Sequence, residues 1–246
     1  MKSYHIYFYR NGLTDSDSEG KYIGHTDIEL SQDGIKQIQK MKEDYIFPDV
    51  DAVFTSPLKR CTKTAQLLFP ENNAIEIEDL IEYNFGSFEG KSADDLKDNE
   101  IFSRWLAGER GVEPPFGESN EKFSYRICKC FEKIVEGLMK TGTTKAAIVT
   151  HGGIIMSLLS VYGIPEAPMH EWITPNGCGY EIRVTPSIWM RGQKFEVVAE
   201  VPYVLNDDDD DYGYDSDEND FFFNENDFDF DDDNFKIWVD LVCFKA

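Results

Sequence analysis

The chain is poor in basic residues, in cysteine and in long apolar runs. Its 246 residues carry 24 Lys and Arg against 47 Asp and Glu, a formal net charge of −23. Such an excess of acid repels nucleic acid and anionic membrane surfaces, so neither is expected as a partner. No stretch approaches the ~18 consecutive apolar residues that a membrane span requires. The opening M-K-S-Y-H-I-Y-F-Y-R is too short and too soon charged to act as a signal peptide. The 5 cysteines (Cys61, Cys128, Cys130, Cys178 and Cys243) are odd in number. They lack the spacing of a disulfide framework, which fits a reducing cytoplasm. Cys128 and Cys130 are the one close pair, and at i and i+2 of a helical pattern they do not face each other. Apolar material, by contrast, is ample: 41% hydrophobic and 14% aromatic residues exclude disorder throughout.

The shortage of basic residues is absolute between Asn206 and Asn234, where 15 Asp or Glu stand with no Lys or Arg. Without that segment the chain holds 32 acids against 24 bases, a net of −8, ordinary for a soluble domain. Like charges at this density repel, so residues 206–234 are expected to form a disordered, low-complexity insertion. It is flanked by β-like runs at Phe195–Leu205 and Phe235–Phe244. The organisation that follows is a domain over residues 1–205, an acidic insertion over 206–234, and a strand within 235–246 returning to the domain. The string from Asp215 fails as a calcium loop, since it lacks the central Gly and its twelfth position is Asn226. Docking of a basic protein partner through the interleaved Phe and Tyr residues stays open beside solvated disorder.

The rest of the chain alternates strand and helix signals. His5–Tyr9 reads as a strand ending in Arg10-Asn11-Gly12. Ser31 is placed to cap a helix running to Lys42. Asp51–Thr55 reads as a second strand, followed by Ser56-Pro57 as cap and first residue of a helix to Leu68. Ala74–Ile77 is a short third strand, and Ala93–Leu106 and Glu118–Met139 are helix-like. Ala146–Thr150 is an apolar strand ending in His151-Gly152-Gly153, and Ile154–Tyr162 continues as a helix. This alternation predicts an α/β fold, a three-layer α/β/α sandwich with a mainly parallel sheet. Ligands of such folds collect beyond the carboxyl ends of the strands.

Those ends hold the chemistry. Arg10 and Arg60 are permanently charged planar donors suited to gripping a phosphate. His151, at a strand-to-helix junction, can offer a ring nitrogen to the same anion, with helix N–H groups behind it. Glu82 lies in a loop-like segment and suits a general acid. Residues 107–120, with the Pro114-Pro115-Phe116-Gly117 turn, are expected to cover the pocket mouth. Five collinear strings then carry a resemblance: Tyr9–Thr14, Gly24–Gly34, Ser56–Ala65, Glu82–Gly90 and Val149–Gly153. Together they resemble the histidine phosphatase superfamily, in its phosphoglycerate-mutase-like branch. The resemblance implies a phosphoglycerate-mutase-like α/β/α domain that hydrolyses phosphomonoesters through a phosphohistidine, with no metal and no cofactor. It implies that Arg10, Arg60 and His151 bind the phosphoryl group of a small phosphorylated molecule or phosphopeptide, and that Glu82 donates the leaving-group proton.

Two positions depart from that pattern. The nucleophilic histidine of the family falls on residue 11, which here is Asn. A neutral imidazole has an in-plane lone pair that can attack phosphorus, whereas the lone pair of the Asn amide nitrogen is delocalised into its carbonyl. Asn can still donate a hydrogen bond to a phosphate oxygen. The family's phosphate-contacting Asn falls on Asp17, whose carboxylate repels phosphate unless it is protonated or turned aside. His5 is expected to pack, His25 to lie nearer the rim than the phosphate, and His170 to carry no chemistry. Turnover is therefore expected to be lost or strongly reduced. The alternatives are a non-catalytic pseudophosphatase that binds a phospho-ligand or protein, and an inactivated variant of a working phosphatase.

Overall fold

The computed structural model describes residues 2–204. The acidic segment 206–234 and the strand expected within 235–246 lie outside the described residues. Strands are β1 (Tyr4–Arg10), β2 (Tyr45–Ile46), β3 (Ala52–Thr55), β4 (Ile75–Glu76), β5 (Lys145–Thr150), β6 (Gly163–Ile164), β7 (Gly179–Val184), β8 (Phe195–Val201) and β9 (Tyr203–Val204). Helices are α1 (Gln32–Asp44), α2 (Lys59–Leu68), α3 (Ala93–Leu96), α4 (Glu100–Leu106), α5 (Asn120–Thr141), α6 (Gly152–Tyr162) and α7 (Pro186–Gly192).

Seven strands form one sheet in the order β4-β3-β5-β1-β7-β8-β6. Only β7 runs against the others, pairing antiparallel with β1 on one side and β8 on the other. The remaining pairs, β1 with β5, β3 with β5, β3 with β4 and β6 with β8, are parallel. Alternation along the central strands builds three layers, because successive side chains point to opposite faces. Tyr7 and Tyr9 of β1, with Ala147 and Val149 of β5, pack in a cluster with Ile38 of α1 and Cys61, Ala65 and Leu68 of α2. Ile6 and Phe8, with Ala146 and Ile148, pack in a second cluster with Phe131 and Val135 of α5 and Ile154, Ile155 and Leu158 of α6. Both faces of β1 and β5 are thus covered, which explains their near-continuous apolar runs. Among the described residues no helix is long and apolar enough to cross a membrane.

Ser31 caps α1 as its position predicts, its hydroxyl accepting from Gly34 N. The helix expected over 93–106 is two helices, because the Asn99 side chain accepts from Phe102 N and starts α4 afresh. Ser56 does not cap α2, which begins at Lys59 after Leu58. Its hydroxyl is engaged elsewhere, as described below. The run expected from Phe195 to Leu205 is interrupted at Pro202, beyond which β9 leaves the sheet to pair with β2. Strand β7 and helix α7 carry no expectation from the sequence, although β7 lies near the middle of the sheet.

Candidate functional site

Strands β1 and β5 are in register with Arg10 opposite Thr150, so Asn11 and His151 leave the sheet side by side. The Asn11 N–H donates to Thr150 O at 2.8 Å. Strand β3 ends next to β5, and Ser56 N donates to Val149 O at 3.0 Å. Arg60 follows in the first turn of α2. Three neighbouring parallel strands therefore deliver Arg10-Asn11, Ser56-Arg60 and His151 to one end of the sheet.

Arg60 is buried, and its guanidinium donates from Nη1 to Thr26 O at 2.9 Å and from Nη2 to Gly24 O at 2.7 Å. These bonds hold the 24–26 loop over the helix start. The Glu89 carboxylate grips the same loop from the other side. It accepts the N–H groups of Gly24 at 3.1 Å and His25 at 2.9 Å, and the Thr26 hydroxyl at 2.6 Å. Gly24 is required by close approach, because a Cβ there would lie 1.8 Å from Tyr83 O. The loop brings His25 into the field of the site, where burial lowers its basicity against the pull of Glu118.

His151 is 2% exposed. Its Nε2 and the Ser56 hydroxyl lie 2.9 Å apart in a hydrogen bond, and the Cys61 Sγ sits 3.4 Å from the same nitrogen. Burial, followed by the positive charges of Arg60, Arg126, His25 and Arg10, holds the imidazole well below its usual range, so it is neutral near pH 7. Burial also pushes the Cys61 thiol up to about 12, which keeps it protonated.

Glu82 is buried after a short 3₁₀ turn at Glu78–Leu80. Its Oε1 accepts Tyr83 N at 2.9 Å and its Oε2 accepts Gly153 N, in the first turn of α6, at 2.9 Å. Burial raises its pKa, against the opposing effect of those two N–H groups and of Arg60 and Arg126. A carboxyl that retains its proton longer than usual is suited to donate one. Rings of Tyr22, Tyr83, Phe85 and Trp105 pack with centroids 5.1–6.1 Å apart and back the segment that carries Glu82.

Arg10 donates from Nη1 to Thr174 O at 2.8 Å, and its Nη2 lies 3.7 Å from Asp17 Oδ1. The other oxygen of Asp17 accepts both the N–H and the hydroxyl of Thr14 at 2.6 Å. The carboxylate is therefore fixed beside Arg10 by the turn it belongs to. Asn11 is buried, with its Nδ2 donating to Gly12 O at 2.9 Å and its own carbonyl accepting from Asn176 Nδ2 at 3.0 Å. All six residues expected from the sequence, Arg10, Asn11, Asp17, Arg60, Glu82 and His151, lie on segments gathered at this end of the sheet, with Arg10 and Asp17 in direct contact. His5 lies apart, with Nδ1 2.6 Å from Glu181 Oε1. Among the described residues no group of three or more His, Cys, Asp or Glu is arranged to hold a metal ion.

Sequence reasoning missed the residues that hold this cluster. Arg126 of α5 donates to the carbonyls of Asp79 at 2.9 Å, Ile81 at 2.7 Å and Glu82 at 3.2 Å, and to Glu118 Oε1 at 2.7 Å. Thr174 and Asn176 anchor Arg10 and Asn11 from 164 and 165 residues further along the chain. Thr64 bridges Gly12 N at 2.9 Å and Arg60 O at 2.7 Å. Thr64, like Ser56 and Glu89, lies within a motif string, whereas Arg126, Thr174 and Asn176 come from segments with no local signal of this role.

Residues 6–191 match the histidine phosphatase superfamily, branch 1. The chain is 27% identical over 178 residues to the adenosylcobalamin/alpha-ribazole phosphatase of Escherichia coli (strain K12), covering 70% of this chain and 86% of that protein. It is 30% identical over 157 residues to phosphoglycerate mutase-like protein 4 of Arabidopsis thaliana, covering 61% of this chain and 66% of that protein. Among solved structures, the alpha-ribazole phosphatase from Shigella flexneri has the same fold, with a TM-score of 0.69 at 24% identity over 83% of this chain and 100% of that one. The phosphoglycerate mutase from Bacillus anthracis str. Sterne gives a TM-score of 0.64 at 20% identity, over 82% of this chain and 94% of that one. With the match spanning both faces of the sheet and every strand end described above, the chain belongs to the histidine phosphatase superfamily, branch 1.

Proposed function

We propose that this site binds the phosphoryl group of a small phosphorylated molecule, and that covalent turnover is lost or strongly reduced because residue 11 is Asn. In this reading Arg10, Arg60 and His151 grip the phosphoryl oxygens, Asn11 donates one hydrogen bond from its amide, and Glu82 stands as proton donor to a leaving group. The carrying observation is that β1, β3 and β5 deliver Arg10, Arg60 and the buried, neutral imidazole of His151 to one end of the sheet, with both arginines among the positive charges that act on that imidazole. The relatives support a phosphate ester as ligand, since one is named a phosphatase and another mutase-like. A non-catalytic phospho-ligand module is the same site with a different fate for the ester, and Asp17 beside Arg10 favours it. A reducing cytoplasm belongs to this reading, supported by four free thiols among the described residues. A protein partner for residues 206–234 is a separate proposal that rests on their composition alone.

Calorimetric titration with inorganic phosphate and with vanadate tests the binding claim. Saturable binding that Arg60→Ala weakens by at least tenfold is expected. Phosphate affinity unaltered by Arg60→Ala and Arg10→Ala, in variants that remain folded, would remove the site from consideration.

A further inference from the structure

We infer that Phe116 is a specificity-determining residue that selects phosphate esters whose organic group carries a flat aromatic ring. The inference rests on the reading of the neighbouring site as a phosphate-ester site.

Three observations carry it. Phe116 is 94% exposed, the most exposed large hydrophobic side chain among the described residues. Its φ is +65°, a left-handed conformation that a bulky residue adopts only under strain. The backbone is clamped there from several sides. Gly117 N donates to Pro114 O at 2.8 Å, Ser87 N donates to Pro115 O at 2.8 Å, and Glu118 N donates to Asn84 O at 3.1 Å. Gly86, itself at φ +51°, fits so closely beneath the turn that a Cβ would lie 2.3 Å from Pro115 O and 2.7 Å from Phe116 C. A strained, rigidly held aromatic with no apolar neighbour to bury it gains nothing for the fold, and such outliers cluster at ligand clamps.

The turn lies against the part of the chain that holds the site. Its clamp residues, Asn84 to Ser87, begin two residues after Glu82. Glu118 at its end shares Arg126 with the Glu82 carbonyl. For a second acidic group on the ligand the same stretch leaves one cation outside its ion pairs, Arg110. Between Arg104 and Arg126 four cations balance four anions. Three of those cations are paired: Arg104 with Glu109, Lys122 with Glu113 and Arg126 with Glu118. The ring is thus preset on the turn clamped to the segment that follows Glu82, and a preset ring favours a flat apolar partner in whatever part of the ester projects past Glu82.

Non-hydrolysable phosphonates test this whether or not the protein turns esters over. Inorganic phosphate, methylphosphonate and phenylphosphonate are titrated into the protein and into Phe116→Gly, Phe116→Leu and Phe116→Trp. Phenylphosphonate is expected to bind ~3- to 10-fold more tightly than methylphosphonate, the range of one aromatic pair. The advantage should vanish in Phe116→Gly and Phe116→Leu and survive in Phe116→Trp, while phosphate affinity stays within twofold in all three. Phosphate binding with no phenyl preference, or a preference untouched by Phe116→Gly, overturns the inference and leaves the site standing. Failure of all three ligands to bind overturns the site itself.

Discussion

Replacing Asp17 by Asn should strengthen phosphate binding. Asp17 Oδ1 stands 3.7 Å from Arg10 Nη2, and both side chains are largely buried at 27% and 13% exposure. The carboxylate therefore partly neutralises the guanidinium that a phosphate would use. A phosphate dianion drawn to Arg10 would sit ~5 Å from that carboxylate. At an effective dielectric of about 40–80, the repulsion is on the order of 2–3 kcal/mol, and salt and rearrangement reduce it to ~1–2 kcal/mol. The expected gain in affinity is thus about 5- to 30-fold. Asn keeps an amide oxygen to accept the Thr14 N–H and hydroxyl, now at 2.6 Å to Asp17 Oδ2, so the turn should survive. Exchanging two hydrogen bonds to a charged acceptor for two to a neutral one costs on the order of 1 kcal/mol of stability. Calorimetric titration with phosphate at low and moderate salt reads the first effect, and thermal melting reads the second. Unchanged or weaker phosphate binding in a folded Asp17→Asn variant would refute the electrostatic argument.

Other expectations are direct. In an Asn11→His background, Glu82→Gln should slow esters with poor alkoxide leaving groups by about 10²- to 10⁴-fold and leave p-nitrophenyl phosphate much less affected, since that leaving group needs little protonation. Phe116→Gly should raise the melting temperature: relief of ~1–2 kcal/mol of left-handed strain outweighs ~0.5–1 kcal/mol of added chain freedom. By nuclear magnetic resonance His151 should titrate well below a free imidazole, because burial and Arg60 disfavour its charged form. The unfolded chain then binds the proton first, so the His151 contribution to stability is full above about pH 6.5 and is lost as pH falls towards the folded value. A His151 resonance that titrates at or above a free imidazole would contradict this.

Legibility in the sequence followed how local each cause was. β1 and β5 could be read because both faces are buried and their runs are apolar. The placement of Arg10, Arg60, Glu82 and His151 at one end of the sheet could be read because strand ends and motif strings mark them. β7 was not legible. Its Gly-Tyr-Glu-Ile-Arg-Val run carries Glu181, buried in mid-sheet and accommodated by His5 and Tyr203 from distant segments. The Ser56 side chain reads as a helix cap until His151, 95 residues away, supplies a competing partner. Asp17 could be marked as a departure, but the capture of its carboxylate by Thr14 and Arg10 depends on the fold of the turn. Arg126 is one polar position on a long amphipathic helix, and nothing near it in sequence distinguishes it from a solvated arginine.

The central claim is that the phosphate grip is intact and the nucleophile is missing. Hydrolysis of p-nitrophenyl phosphate by the protein and by Asn11→His, measured side by side, tests it most directly. The account predicts a rate near background for the protein and a gain of at least a hundredfold in Asn11→His, accompanied by an acid-labile phosphoryl group on residue 11. Equal turnover in the two proteins would contradict it.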